Sequence, residues 1–199
     1  MHPNALFRTD DRAAMREWIG GIGFGMVFLT TPEGPRVAHT PFLLRERDRL
    51  HFHLARGNAL TRHLDGATAL AAVNGPHGYV SPRWYANRDT VPTWDYVAIE
   101  LEGPVRRLDD GELDTLLYDL IETHETRLAG ARWQADEASE ATWSGLFKAI
   151  AGFELAIRDW RPTFKLSQKR GVDERAAIAA GLAAAGNPDL AAAMQGHAA

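Results

Sequence analysis

Residues 93–108, "TWDYVAIELEGPVRRL", decide how this chain folds. Val97, Ile99 and Leu101 fall at every second position, and Trp94, Tyr96, Ala98 and Glu100 fill the places between and before them. A two-residue period puts successive side chains on opposite faces of a strand. The stretch is therefore a long strand with one dry face and one face that carries rings. Just before it, "YVSPRWYANRDTVP" at 79–92 holds two prolines and an Asn-Arg-Asp triplet, which mark a loop. Residues 79–96 contain five aromatic residues in eighteen, against 9% for the chain, so these rings need a surface to pack on.

Working upstream, "ATALAAVNG" (67–75) is nearly all apolar and suits a central strand, and "LHFHLARGN" (50–58) alternates Leu50, Phe52 and Leu54 with two histidines. The segment "NALTRHL" (58–64) reads as a short helix capped by Asn58. "FGMVFLT" (24–30) and "RVAHTPFLL" (36–44) form a hairpin around "TPEGP". "TDDRAAMREWI" (9–19) starts a helix capped by Thr9 or Asp10, with Met15, Trp18 and Ile19 on one face and Gly20 as its end. Downstream, Asp109 and Glu112 make a capping-box pattern before Leu113, Leu116, Leu117, Leu120 and Ile121, with Gly130 as the stop. A second helix carries Trp143, Leu146, Phe147 and Ile150 to Gly152, and the strand "FELAI" (153–157) follows. "RPTFKLSQKRG" (161–171) reads as polar and basic, and small Ala-rich helices occupy about 173–195.

No internal repeat or long linker divides the 199 residues, so the expectation is a single domain over 1–199, burying roughly 70% of its unfolded surface. Strands first, then two helices, then a late strand indicate an α+β fold with an antiparallel barrel. The 45% hydrophobic and 24% charged content is that of an ordinary globular chain. A net charge of −4 gives no bulk attraction to a phosphate backbone, so direct DNA binding is not expected. The absence of cysteine excludes disulfides, thiol nucleophiles and Cys-based zinc sites. No leader-like or membrane-length apolar run occurs, and the expected location is the cytoplasm.

Hydrolase elbows, zincin motifs and P-loops do not occur. "GGIGFG" (20–25) lacks dinucleotide-loop spacing and follows a helix, so it reads as small residues that allow close strand packing. His51 and His53 share a strand face without a third ligand nearby, and no metal site is expected. Arg56, at the end of that strand, and Asn58, at the presumed helix cap, offer a guanidinium, an amide and backbone N–H groups to an anion such as phosphate. "KLSQKR" (165–170) adds three cations around Ser167 and Gln168. Aromatic surface combined with such donors fits a ring-bearing cofactor with a phosphate.

"GYVSPRWY", "VPTWDYVAIELEG", "HLARGNAL" and "KLSQKR" resemble the signature segments of the PaiB family, the FMN-binding negative transcriptional regulators, over most of the chain to Arg170. The resemblance implies an antiparallel Greek-key split β-barrel, the FMN-binding split-barrel fold, with flanking helices, usually a homodimer with flavin in clefts between subunits. The matching positions for the cofactor are His53, Arg56 and Asn58 at the phosphate end, Ser81, Trp84 and Trp94 from the aromatic segment, and Lys165, Ser167 and Gln168 from the late loop. Tyr79, Trp84, Tyr85, Trp94 and Tyr96 are expected along a cleft and a dimer contact. The chain has Asp95 and Lys169 where the family commonly reads Asn. A carboxylate near an anionic cofactor needs a cation, and Lys169 is the expected partner.

The residues name no catalytic acid or base. Flavin-dependent oxidoreductase chemistry needs none, because the cofactor carries the electrons. The alternatives are a haem protein of the haem-degrading or piperazate-synthase type, with His39, His51, His53, His63 or His77 as ligand, and a dimeric binding module without cofactor.

Overall fold

The computed structural model describes residues 3–196. Eight strands appear in chain order: β1 (Phe24–Thr31), β2 (Gly34–Pro41), β3 (Leu43–Arg45), β4 (Arg49–Ala55), β5 (Thr68–Val80), β6 (Thr93–Arg107), β7 (Ile150–Ala156) and β8 (Asp159–Lys165). The helices are α1 (Arg12–Ile22), α2 (Asp110–Glu125), α3 (Glu140–Phe147), α4 (Val172–Ala184) and α5 (Pro188–Gly196). The strands join in the order β2-β1-β5-β6-β7-β4-β3, with β8 also on β6, so the path ends at β2 and β3 without closing on itself. The ladders β1–β2, β1–β5, β3–β4, β4–β7 and β6–β7 are antiparallel. Among the described residues no helix is long and apolar enough to cross a membrane.

The contacts group the chain into two compact units. One comprises Arg16–Val73 and Glu100–Trp160; the other comprises the described residues up to Met15, Asn74–Ile99 and those from Arg161 onward. In the first, the β1–β2 hairpin turns through Pro32 and Glu33, with Thr31 opposite Gly34 and Gly34 at φ +103°, a backbone state that favours glycine. Leu50, Phe52 and Leu54 on β4 are all buried, as their alternation predicts. The Phe52 ring stacks on Phe153 at 5.6 Å and meets Phe42 edge-on at 6.0 Å. Each such ring, removed from water, contributes about 1.5–3 kcal/mol. The Asp109 carboxylate accepts from the Glu112 N–H at 2.8 Å, and the Glu112 carboxylate accepts from the Asp109 N–H at 3.0 Å. This reciprocal cap starts α2, which buries Leu113, Leu116 and Leu120 against Leu108.

The "GGIGFG" reading holds at Gly25, where a Cβ would lie 2.5 Å from the Ala72 carbonyl and closer still to the Phe42 ring. Gly103 meets a tighter approach, with the Ala156 carbonyl oxygen 1.9 Å from a Cβ position. There the backbone of residues 156–158 comes against β6, and the Arg158 N–H donates to the Glu102 carbonyl at 2.8 Å.

Several boundaries differ from expectation. Asp11, not Thr9 or Asp10, caps α1 by accepting from the Ala14 N–H, and the helix runs through Gly20 and Gly21 to Ile22. Residues 58–64 form successive turns instead of a helix. Leu60 and Leu64 are both fully buried, and the Thr61 hydroxyl donates to the Ala55 carbonyl at 2.8 Å, which draws the segment inward. α2 ends at Glu125, well before Gly130, and α3 ends at Phe147, leaving Ile150 to open β7 opposite Ala55. Residues 161–165 belong to a strand, because Pro162, Thr163 and Phe164 are buried together beneath the basic residues that suggested a loop.

Candidate functional site

In the first unit, β4 carries His53 on the face opposite Phe52 and Leu54. His53 lines a cavity of about 570 Å³ with Leu117, Leu120, Trp133, Trp143 and Phe147, a size within the roughly 300–1,000 Å³ of small-molecule sites. Its Nδ1 is buried and has no hydrogen-bond partner among the described residues. Burial pushes the imidazole pKa below its ordinary value, so the ring is neutral at pH 7. After Ala55 the chain turns. The Arg56 N–H donates to the Ala149 carbonyl at 2.8 Å, and its Nε donates to the Lys148 carbonyl at 2.7 Å. Ala149 lines the same cavity, so the Arg56 backbone is bonded to a residue of its wall. The exposed terminal nitrogens of that guanidinium make no bond to the described residues. Asn58 accepts from the Leu60 N–H at 2.9 Å through Oδ1, which orients its amide. His53, Arg56 and Asn58 thus supply an unpaired ring nitrogen and two sets of N–H donors, a set suited to a phosphate-bearing or hydrogen-bonding ligand.

The other six expected residues lie in the second unit, and five of them, all but Trp84, bond through their side chains to protein partners. The Ser81 hydroxyl accepts from the Arg83 N–H at 3.3 Å and caps a short turn. Trp84 packs over α4, where a Cβ on Gly181 would fall 2.5 Å from its indole. Trp94 donates from Nε1 to His77 Nδ1 at 3.3 Å. Lys165 donates to Asp95 Oδ1 at 2.9 Å, to Thr93 Oγ1 at 2.6 Å and to the Trp94 carbonyl. The Ser167 hydroxyl donates to Asp95 Oδ2 at 2.5 Å. Gln168 donates to the Phe164 carbonyl and accepts from the Leu166 N–H at 2.8 Å. The partner of Asp95 is therefore Lys165, and not the expected Lys169, whose side chain is exposed. The strand alternation explains the choice, since Asp95 falls on the dry face of β6 with Val97 and is only 1% exposed.

The aromatic segment divides likewise. Tyr85 is buried beneath the Arg170 guanidinium, 4.2 Å from its ring centre, while Tyr79 and Trp94 remain half exposed at 51% each. Tyr79, Ser81, Arg83 and Trp84 border a second cavity of about 570 Å³ with Gly181 and Asn187.

Sequence reasoning missed a charged network in the first unit. Arg106 bridges Glu112 at 2.6 Å and Glu154 at 3.0 Å, and His51 Nε2 lies 2.9 Å from Glu154. Hydrogen bonds from Arg106 and from the Asp109 N–H hold the Glu112 carboxyl at a pKa of about 2. Burial works to raise the Glu154 pKa, but hydrogen bonds from Arg106 and His51 outweigh it and the value is lowered. Burial lowers that of His51, so the ring is neutral and Nε2 donates to Glu154 as a dipole. The signal was in the strand alternation: His51, Glu154 and Arg106 are register neighbours across β4, β7 and β6.

An open antiparallel sheet with flanking helices places the molecule in the α+β split-barrel class. Two solved structures share that fold. The FAD and heme binding protein from Mycobacterium smegmatis matches with a TM-score of 0.58 at 22% identity, covering 87% of this chain and 79% of its own. The flavocytochrome Anf3 from Azotobacter vinelandii matches with a TM-score of 0.60 at 18% identity, covering 88% and 78%. The model of the family described as "Putative FMN-binding domain" matches residues 1–159. The "Protease synthase and sporulation protein PAI 2" of Bacillus subtilis is 30% identical over 175 residues, 85% of this chain and 83% of that protein. The chain belongs to this FMN-binding PaiB family.

Proposed function

We propose that the chain binds FMN through His53, Arg56 and Asn58 and serves as a flavin-dependent redox protein. The carrying observation is the buried Nδ1 of His53, unpaired among the described residues, in a cavity whose wall residue Ala149 is bonded by the Arg56 backbone. Bound FMN would supply reversible hydride or single-electron transfer. The residues here do the holding. Arg56, fixed through Nε by the Lys148 carbonyl, presents its outer nitrogens to the phosphate without having to be ordered first. Asn58 adds an amide donor, and Trp133, Trp143 and Phe147 keep the cavity apolar and water-poor. His53, neutral, accepts or donates one hydrogen bond without placing a charge there. Titration of the purified protein with FMN, followed by flavin fluorescence and absorption, tests this. Arg56→Ala is expected to weaken binding about tenfold or more, the loss of a charge-assisted contact. Saturating FMN with no spectral change would overturn the reading.

A haem in the same cavity is the second reading, favoured by the neutral imidazole of His53, since metal ligation requires the unprotonated ring. A Soret band on haemin titration that is lost in His53→Ala would establish it. The exposed Tyr79 and Trp94 support pairing of two copies into a homodimer, which sedimentation of the wild type and Trp94→Glu will test. A regulatory role exerted through a small molecule, in place of direct operator binding, accords with the net charge of −4, and the cysteine-free sequence suits a cytoplasmic location.

A further inference from the structure

The late loop that the family resemblance assigns to the cofactor does not fit one. An ammonium has three N–H donors, and those of Lys165 meet three protein acceptors: Asp95, Thr93 and the Trp94 carbonyl. The single hydroxyl proton of Ser167 goes to the other oxygen of the same carboxylate. Gln168 is bonded at both ends of its amide to the backbone two and four residues before it. Asp95, at 1% exposure, therefore sits where a bound anion would sit, within a cradle of cation and hydroxyl. Ser167 is held at φ +57°, a conformation non-glycine residues adopt at a cost, and its bond to Asp95 is what compensates. Of the rest of the basic run, Arg170 is committed in the same way, covering the Tyr85 ring and lying 3.5 Å from Glu174, while Lys169 is exposed.

We infer that Asp95, Lys165 and Ser167 form an internal pin fastening the start of β6 to the end of β8 and the loop after it, that Gln168 braces this loop, and that FMN is held without them. The last of these rests on the flavin reading above; the others do not.

The experiment measures melting temperature and FMN dissociation constant together for the wild type, Lys165→Met, Asp95→Asn, the double variant, Ser167→Ala and Arg56→Ala. Stranding the buried carboxylate should lower the melting temperature of Lys165→Met by about 10 °C. The double variant should recover much of that loss, because no unpaired charge remains. Ser167→Ala, which keeps the ion pair, should fall by a few degrees and provides a folded variant if Lys165→Met does not fold. FMN affinity should stay within about threefold in the pin variants that fold and drop about tenfold or more in Arg56→Ala. A tenfold loss of FMN affinity in Ser167→Ala or Lys165→Met at unchanged melting temperature would overturn the inference, as would strictly additive losses from Asp95→Asn and Lys165→Met. If the wild type binds no FMN, the flavin reading falls and the melting-temperature cycle alone decides the pin.

Discussion

Gly103→Ala should be among the most damaging one-methyl changes in this chain. A Cβ at that position would stand 1.9 Å from the Ala156 carbonyl oxygen, where ordinary contact begins at 3.4 Å. The two backbones would have to part by about 1.5 Å, and neither can swing aside as a side chain could. That movement would stretch the 2.8 Å bond from the Arg158 N–H to the Glu102 carbonyl beyond hydrogen-bonding range. Overpacking costs about 1–3 kcal/mol and a lost backbone bond about 1 kcal/mol more. In a chain of this size, roughly 2–4 °C accompanies each kcal/mol, so the melting temperature should fall by about 10 °C. Gly21→Ala is the control: nothing lies within 4 Å of its Cβ position in α1, and the more helical residue should stabilise by about 0.5–1 kcal/mol. Scanning calorimetry of the two variants reads both signs. A Gly103→Ala melting temperature within 2 °C of wild type would refute the argument from backbone approach.

Other perturbations follow from the same geometry. The depressed pKa of Glu112 means its contribution is complete above its ordinary value of 4.5 and fades as pH falls through about 2. Because the side chain is 36% exposed, Glu112→Gln should cost only about 0.5–1 kcal/mol at pH 7 by urea unfolding, and the difference should shrink at pH 2. Arg47 sits at φ +55° in the turn between β3 and β4, so Arg47→Gly should raise stability by about 0.5–1 kcal/mol in the same assay. Leu116→Ala, from a fully buried side chain under α2, should lower it by about 2–5 kcal/mol.

Local pattern carried much of the fold. The alternation of β4 and β6, the capping box of α2 and the Pro-Glu-Gly hairpin are each dictated by residues close in sequence, and each stands where the pattern placed it. The misread pieces depend on distant partners. Residues 58–64 have helical composition, but the burial of Leu60 and Leu64 bends them into turns. Residues 161–165 look like a basic loop until the burial of Pro162, Thr163 and Phe164 is known. Of the candidate site, the sequence placed Arg56 at a strand end, where its Nε bonds the Lys148 carbonyl, but it did not show that Lys165 and Ser167 bond to a buried Asp95. A carboxylate's partner 70 residues away cannot be read from spacing, and Lys169, suggested because it and Asp95 both depart from the family pattern, faces solvent.

The Asp95–Lys165 pair also constrains the order in which its two members could have been acquired. A lysine at 165 arriving first would still find the Thr93 hydroxyl and the Trp94 carbonyl, and could persist beside an uncharged neighbour. An aspartate at 95 arriving first would be a lone anion sealed from water, with only the Ser167 hydroxyl to soften it. Mutational history at these two positions therefore has a preferred direction, and the basic residue is the one that opens the way.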